Sequence, residues 1–202
     1  QQVVMVTSSI SGEGKTFTSI NLAAIYAASG KKTILVGADL RKPKIFQDFG
    51  LTNEVGLSTY LINRGELVDC VKKTNVQNLD LISSGPIPPN PAELIESKRM
   101  HQFLTDVKEV YDIIIIDTPP VGLVTDALII NQFVDASIYI VRHGYSKKSY
   151  LENINQLYAD QKIKNLGIVV NAVKEKSGPL GYGYGYGYGY GGEPYGDEPV
   201  DS

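Results

Sequence analysis

The chain has one cysteine, Cys70, so no disulfide can form within it; the fold does not depend on oxidation and a cytosolic setting is favoured. Cys70 itself reads as a small core residue. No stretch approaches the 18 or more apolar residues of a spanning helix, and the start lacks the charged-then-apolar pattern of a secretion signal. The piece is therefore expected to be soluble. Basic residues are missing altogether from 178 to 202, where Glu193, Asp197, Glu198 and Asp201 hold four of the acids, so the net charge of −3 leaves the rest of the chain near neutral. A body so balanced gives no case for nucleic-acid binding. The first residue is Gln1 rather than Met and Val3-Val4-Met5-Val6 already reads as a strand, so the chain is expected to be cut from something longer.

What is present is an alternation of short β-branched runs with longer amphipathic ones. Strands are predicted at 3–6, 33–36, 79–82, 113–116, 136–142 and 166–171, and helices at 16–29, 56–63, 66–72, 91–109, 124–132 and 146–160. Gly30 is placed to terminate the first helix. Asn90 is placed as an N-cap, with Pro91 at the first helical position and Glu93 three residues after the cap. Four consecutive isoleucines, Ile113 to Ile116, suit a central parallel strand buried on both faces. The fold class that follows is α/β, a doubly wound, mainly parallel sheet whose ligands bind beyond the carboxyl ends of the strands. The expected organisation is a nucleotide-binding domain over 1–177 and a flexible Gly/Tyr-rich tail over 178–202, disordered when free.

The first strand runs into Thr7-Ser8-Ser9-Ile10-Ser11-Gly12-Glu13-Gly14-Lys15-Thr16 and then a helix, the setting of a phosphate-binding loop. Gly12 and Gly14 let backbone N–H groups encircle phosphate oxygens at the positive end of the helix; Lys15 neutralises the β/γ-phosphates and Thr16 offers a hydroxyl to Mg²⁺. The first glycine of the usual motif is Ser9 here, small enough to be accepted. The competing reading is a glycine-containing turn with an exposed lysine. Asp117 closes the isoleucine strand and is followed by Thr118-Pro119-Pro120, the position of a magnesium-holding aspartate; alternatively it caps the next helix. Asp39 and Arg41 stand at a second strand end. Asp39 is a candidate proton acceptor from an attacking hydroxyl, and as a lone carboxylate could equally be structural.

Four segments together, Gly12 to Thr16, Ala38-Asp39-Leu40-Arg41-Lys42-Pro43, Ser84-Gly85-Pro86 with Pro88 to Leu94, and Tyr111 to Pro120, resemble the bacterial tyrosine kinases of exopolysaccharide and capsule export. The likeness runs from about residue 2 to 173, and the proline-rich segment is its most discriminating piece. It implies a P-loop NTPase fold related to the partition and cell-division ATPases, with ATP and Mg²⁺ as cofactors. Ser11, Gly12, Glu13, Gly14, Lys15, Thr16 and Phe17 would contact the nucleotide, joined by Asn171 after the last strand and by Arg142. Thr16, Asp39 and Asp117 would serve the metal, and Lys15, Asp39 and Asp117 the chemistry. The family usually has an aspartate two residues before Asp39, where this chain has Gly37. A partition-type ATPase acting as a nucleotide-dependent scaffold is the alternative, disfavoured by the absence of an early lysine in Ser9-Ile10-Ser11.

The resemblance also implies assembly with copies of itself, as a ring, and a membrane polysaccharide co-polymerase partner, fused upstream or separate, at the cytoplasmic face of the plasma membrane. Tyr182, Tyr184, Tyr186, Tyr188, Tyr190 and Tyr195 would be the phosphate acceptors. An inert linker and a β-aggregating repeat are the bland readings of the same tyrosines. Each phosphate would add about −1.5 to −2 charges, so like-charge repulsion is expected to release modified tails from neighbouring subunits.

Overall fold

The computed structural model describes residues 2–122, 125–163 and 165–173, and the structural statements below concern these residues. The expected tail, with its six tyrosines, lies outside them.

Seven described strands form one sheet in the order β3-β4-β2-β5-β1-β6-β7: β1 Val3–Ser8, β2 Thr33–Gly37, β3 Val71–Lys73, β4 Leu79–Ile82, β5 Ile113–Asp117, β6 Ala136–Arg142 and β7 Leu166–Asn171. Every pairing is parallel except β3 with β4. The isoleucine strand β5 lies between β1 and β2, as its apolarity on both faces requires. Alternate residues feed two cores. Val3, Met5, Ile34, Val36, Ile114 and Ile116 face one way, onto Met100, Phe103, Leu104 and Val107 of α6 (Lys98–Val110). Val4, Val6, Leu35, Ile113 and Ile115 face the other way, onto Ala23 and Ala27 of α1 (Lys15–Ala28). Helices thus cover both faces, which makes the sheet doubly wound.

Local chemistry explains the element ends. Gly30 has φ 85°, Gly30 N donates to Ala27 O at 3.0 Å and Lys31 N to Tyr26 O at 3.2 Å, the paired bonds of a Schellman stop. The predicted helix 91–109 is two helices, α5 (Pro91–Glu96) and α6, because Ser97 takes an extended conformation and its hydroxyl oxygen accepts from Met100 N at 3.3 Å. Asn90 does precede α5, yet it makes no side-chain cap; its amide donates to Glu93 instead.

The predicted helix 66–72 is corrected more deeply. Only α4 (Leu67–Cys70) is helical, and Val71–Lys73 turns into the antiparallel edge strand β3, held by Lys73 Nζ on Asp80 at 2.8 Å and Thr74 Oγ1 on Leu79 O at 2.8 Å. The loop through Pro43 carries a short helix, α2 (Ile45–Asp48), the predicted helix 56–63 shortens to α3 (Leu57–Leu61), and the predicted helix 124–132 shortens to α7 (Asp126–Ile130) plus a 3₁₀ turn. The last predicted helix becomes α8 (Lys148–Ala159). Cys70 is buried, donates to Gly56 O at 3.3 Å, and burial pushes its thiol pKa up, consistent with a core residue.

Asp135 anchors the start of β1: one carboxylate oxygen accepts from Gln2 N at 2.7 Å and Val3 N at 2.9 Å. Those bonds, to Val3 first, hold its carboxyl below the usual range. Because the folded pKa is depressed, the contribution is full above about pH 4 and is lost as pH falls through the folded value. Asp135→Ala is expected to cost about 1 kcal/mol in urea unfolding at pH 7, with the difference from the parent narrowing below pH 4.

Candidate active site

The carboxyl ends of β1, β5 and β2 lie side by side, Val6 opposite Asp117 and Gly37 opposite Asp117 on its other flank. A cleft of about 270 Å³ opens over them. It is lined by Ser11, Gly12, Gly14, Lys15, Thr16, Phe17, Gly37, Asp39, Lys42, Lys44, Ile45, Ser84 and Asp117.

The loop between β1 and α1 is fixed from behind. Gly12 and Gly14 have φ of 86° and 98°, a region that favours glycine. Three successive carbonyls accept side-chain bonds from the far half of the chain: Ser11 O from Tyr145 Oη at 3.1 Å, Gly12 O from Arg142 Nη1 at 2.9 Å, and Glu13 O from Asn171 Nδ2 at 3.0 Å. Glu13 is wholly buried, and its carboxylate accepts from Ile10 N at 2.8 Å and from the Ser146 hydroxyl. Ser9, where the usual motif has glycine, is buried too, its hydroxyl bonded to the Tyr139 hydroxyl and away from the cleft. The 117–122 turn closes on the same residue, Gly122 N donating to Ser9 O at 3.2 Å. A Cβ on Gly122 would lie 2.4 Å from that oxygen.

With the carbonyls engaged outward, the backbone N–H groups of Ser11 to Phe17 have no acceptor among the described residues. A run of unpartnered amides at the start of a 14-residue helix is an anion site, and Lys15, 9% exposed, stands at its centre.

Asp117 is the buried charge of the cleft, 5% exposed. Thr16 Oγ1 donates to one of its oxygens at 2.8 Å and Ser19 Oγ to the other at 3.1 Å. Burial pushes its pKa up to about 6, against the opposing pull of Lys15 and the two hydroxyl bonds. No cation lies within ion-pair distance of this carboxylate among the described residues. A buried anion supported by hydroxyls but not paired is suited to a hard divalent ion; the oxygens of Asp117, Thr16 and Asp39 fit Mg²⁺, which keeps waters and phosphate oxygens as its other ligands.

Asp39 projects into the cleft from the turn after β2. Its Oδ1 accepts from Lys42 N at 2.9 Å and Arg41 N at 3.2 Å, while Oδ2 has no partner among the described residues. Arg41, expected at the same edge, turns away into a bidentate pair with the fully buried Asp126 of α7, Nε to Oδ2 at 2.8 Å and Nη2 to Oδ1 at 2.9 Å. That pair holds the Asp39 turn against the neighbouring helix. Phe17 lies at the cleft mouth, 66% exposed.

Comparison with known proteins agrees with this geometry. A family model described as an AAA domain matches residues 1–172. The tyrosine-protein kinase YwqD of Bacillus subtilis is 41% identical over 180 residues, 89% of this chain and 76% of the relative. The chain belongs to the bacterial tyrosine kinases. Among solved structures, the kinase domain of the Escherichia coli tyrosine kinase ETK superposes with a TM-score of 0.81 at 34% identity, covering 92% of this kinase and 73% of that chain. The septum site-determining protein MinD of Pyrococcus horikoshii reaches 0.69 at 20% identity, over 84% and 69%, which shows the shared fold alone.

Sequence reasoning missed several of the groups that shape this site. Ser19 was discoverable, since it lies three residues after Thr16 on one helix face. Tyr145, Ser146 and the buried role of Glu13 carry no local signal, because their partners are about 130 residues away. Gly37 is explained by space: a Cβ there would meet Ile45 Cγ2 at 2.8 Å and Ser84 Oγ at 3.0 Å. Gly37→Asp alone is therefore expected to cost about 1–3 kcal/mol of stability, from overpacking, and to leave tyrosine-kinase activity within tenfold of the parent. Adding Ile45→Ala should reduce the overpacking strain, read as a double-variant Tm higher than the two single-variant losses added together would leave.

The Asp117 shift gives a second prediction. Its folded pKa of about 6 lies above the ordinary 3.8, so the folded state holds the proton more tightly and stability of the nucleotide-free kinase declines as pH rises from about 4 to 6. Urea titrations across that window should show the decline in the parent and its loss in Asp117→Asn. Mg²⁺ with ADP should flatten the parent's slope.

Proposed function

We propose that this kinase transfers the γ-phosphate of ATP to the tyrosines of its own carboxy-terminal cluster, Tyr182, Tyr184, Tyr186, Tyr188, Tyr190 and Tyr195, between subunits. The observation that carries the reading is the buried Asp117 bracketed by Thr16 and Ser19 at the head of the phosphate loop, with Lys15 and the free oxygen of Asp39 facing the same cleft. Bound Mg²⁺ supplies charge neutralisation for the phosphates. The chain's own groups do the rest. Amides of the 11–17 run and Lys15 hold the phosphates in place. Thr16 and Asp117 would hold the metal. The tyrosine oxygen attacks the γ-phosphorus as its bond to the β-phosphate oxygen breaks; the phenol proton passes to Asp39, and ADP leaves.

Arg142 and Asn171 act on the nucleotide through the loop whose carbonyls they hold, and Asn171 stands close enough to Gly14 that a Cβ there would lie 2.0 Å from its amide nitrogen. The resemblance supports the wider setting: control of exopolysaccharide or capsule synthesis, assembly with further copies of the chain, and a membrane co-polymerase partner at the cytoplasmic face of the membrane. No described helix is long and apolar enough to cross a membrane, so attachment would come through that partner or a fused segment.

Incubation with ATP and Mg²⁺ followed by phosphotyrosine mapping tests the reading. Label is expected on the tyrosine cluster and its loss, by at least a hundredfold, in Lys15→Met. Label that persists in Lys15→Met, or ATP hydrolysis with no phosphotyrosine in the parent, would overturn it.

A further inference from the structure

The cleft carries more positive charge than the nucleotide site uses. Lys42 and Lys44 are both exposed and both line its mouth, yet neither ammonium group has an ion-pair partner among the described residues. Their neighbour Arg41 is neutralised by Asp126, and Asp39 Oδ1 accepts from the backbone N–H groups of Arg41 and Lys42 in the same turn. The turn is held in place by these bonds, so the two lysines project from a fixed support. The phosphates already have Lys15, the unpartnered amides of Ser11 to Phe17 and the metal. In the same cleft lining, the exposed ring of Phe17 offers an apolar face against which a phenol can pack. An aromatic surface and two unpaired cations lining one cleft fit a tyrosine followed by acids.

The chain's own acceptors differ in this respect. Tyr182, Tyr184, Tyr186 and Tyr188 have only glycine and tyrosine in the three places after them and Tyr190 has a single acid, Glu193, three places on, whereas Tyr195 is followed by Gly196-Asp197-Glu198, with acids at both the second and the third place. In an extended peptide, residues two and three places beyond the tyrosine lie about 7 to 10 Å along the chain, within the reach of lysine side chains at the rim of the cleft.

We propose that Lys42 and Lys44 are specificity-determining residues that read acidic groups on the carboxyl side of the acceptor, which makes Tyr195 the preferred first site of phosphorylation. The inference rests on the kinase reading above. Two solvent-exposed ion pairs favour a substrate modestly, by about three- to tenfold together. Phe17 serves all six tyrosines alike, so the discrimination comes from charge.

The test follows phosphate at each tyrosine of the full-length chain by mass spectrometry during the first turnovers with Mg²⁺ and ATP. The readout is the ratio of Tyr195 label to mean label at Tyr182 through Tyr188, the acceptors with no acid in the three places after them, which cancels any change in folding or ATP affinity. The parent is expected to show a ratio of three to ten, falling toward one in Asp197→Asn/Glu198→Gln and in Lys42→Glu/Lys44→Glu. Combining Lys42→Glu/Lys44→Glu with Asp197→Lys/Glu198→Lys should restore it. Lys31→Glu, beyond the opposite end of α1, should keep the parent ratio. A parent ratio near one, or a charge-swapped chain that stays near one, overturns the proposal while leaving the kinase reading intact. Absence of phosphotyrosine in the parent overturns both.

Discussion

The structure depends on one carboxylate placed where carboxylates are costly. Asp117 ends the most apolar strand, between two other parallel strands, and is almost fully removed from water. Burying that charge is tolerable only because Thr16 and Ser19 supply two hydroxyl bonds and Lys15 lies near enough to oppose the burial shift. All three come from the first turns of α1, so the helix must start where it does and at the angle it does. The left-handed glycines before it allow that start. The fold and the site are thus set by the same few bonds.

Around this centre the sheet order does the positioning. Because β5 separates β1 from β2, the phosphate loop and the Asp39 turn rise on opposite sides of Asp117, and the cleft is the space between them. Arg41 looks like a ligand-binding group in the sequence, but it is spent on Asp126 and keeps the second wall upright. Gly37 keeps the floor clear, its neighbours Ile45 and Ser84 occupying the room a larger side chain would need.

Much of this was legible beforehand because the signals were local. Strand β5, the phosphate loop, the stop at Gly30 and the two aspartates at strand ends each follow from a few adjacent residues. What escaped was decided at a distance. Val71 to Lys73 reads as the end of a helix until Asp80, Leu81 and Ile82 are alongside to pair with it; Ser97 looks like an ordinary interior residue until its hydroxyl is seen to cap a new helix. Glu13 is expected from the sequence among the nucleotide contacts, yet its side chain is the most buried of the loop, turned inward to Ile10 N and the Ser146 hydroxyl.

The bonds from Tyr145, Arg142 and Asn171 to three consecutive carbonyls of the phosphate loop mean that its curvature is inherited from the last third of the domain. The eight or so residues that define the motif therefore do not carry their own shape. Transplanted between another strand and helix, they would keep their glycines and lysine but lose the external grip that aligns the amides before any ligand arrives. Nucleotide binding would then bear the entropic cost of ordering the loop. In this protein the ends of β6 and β7 have already met that cost during folding, which makes the shape of the loop a property of the whole sheet.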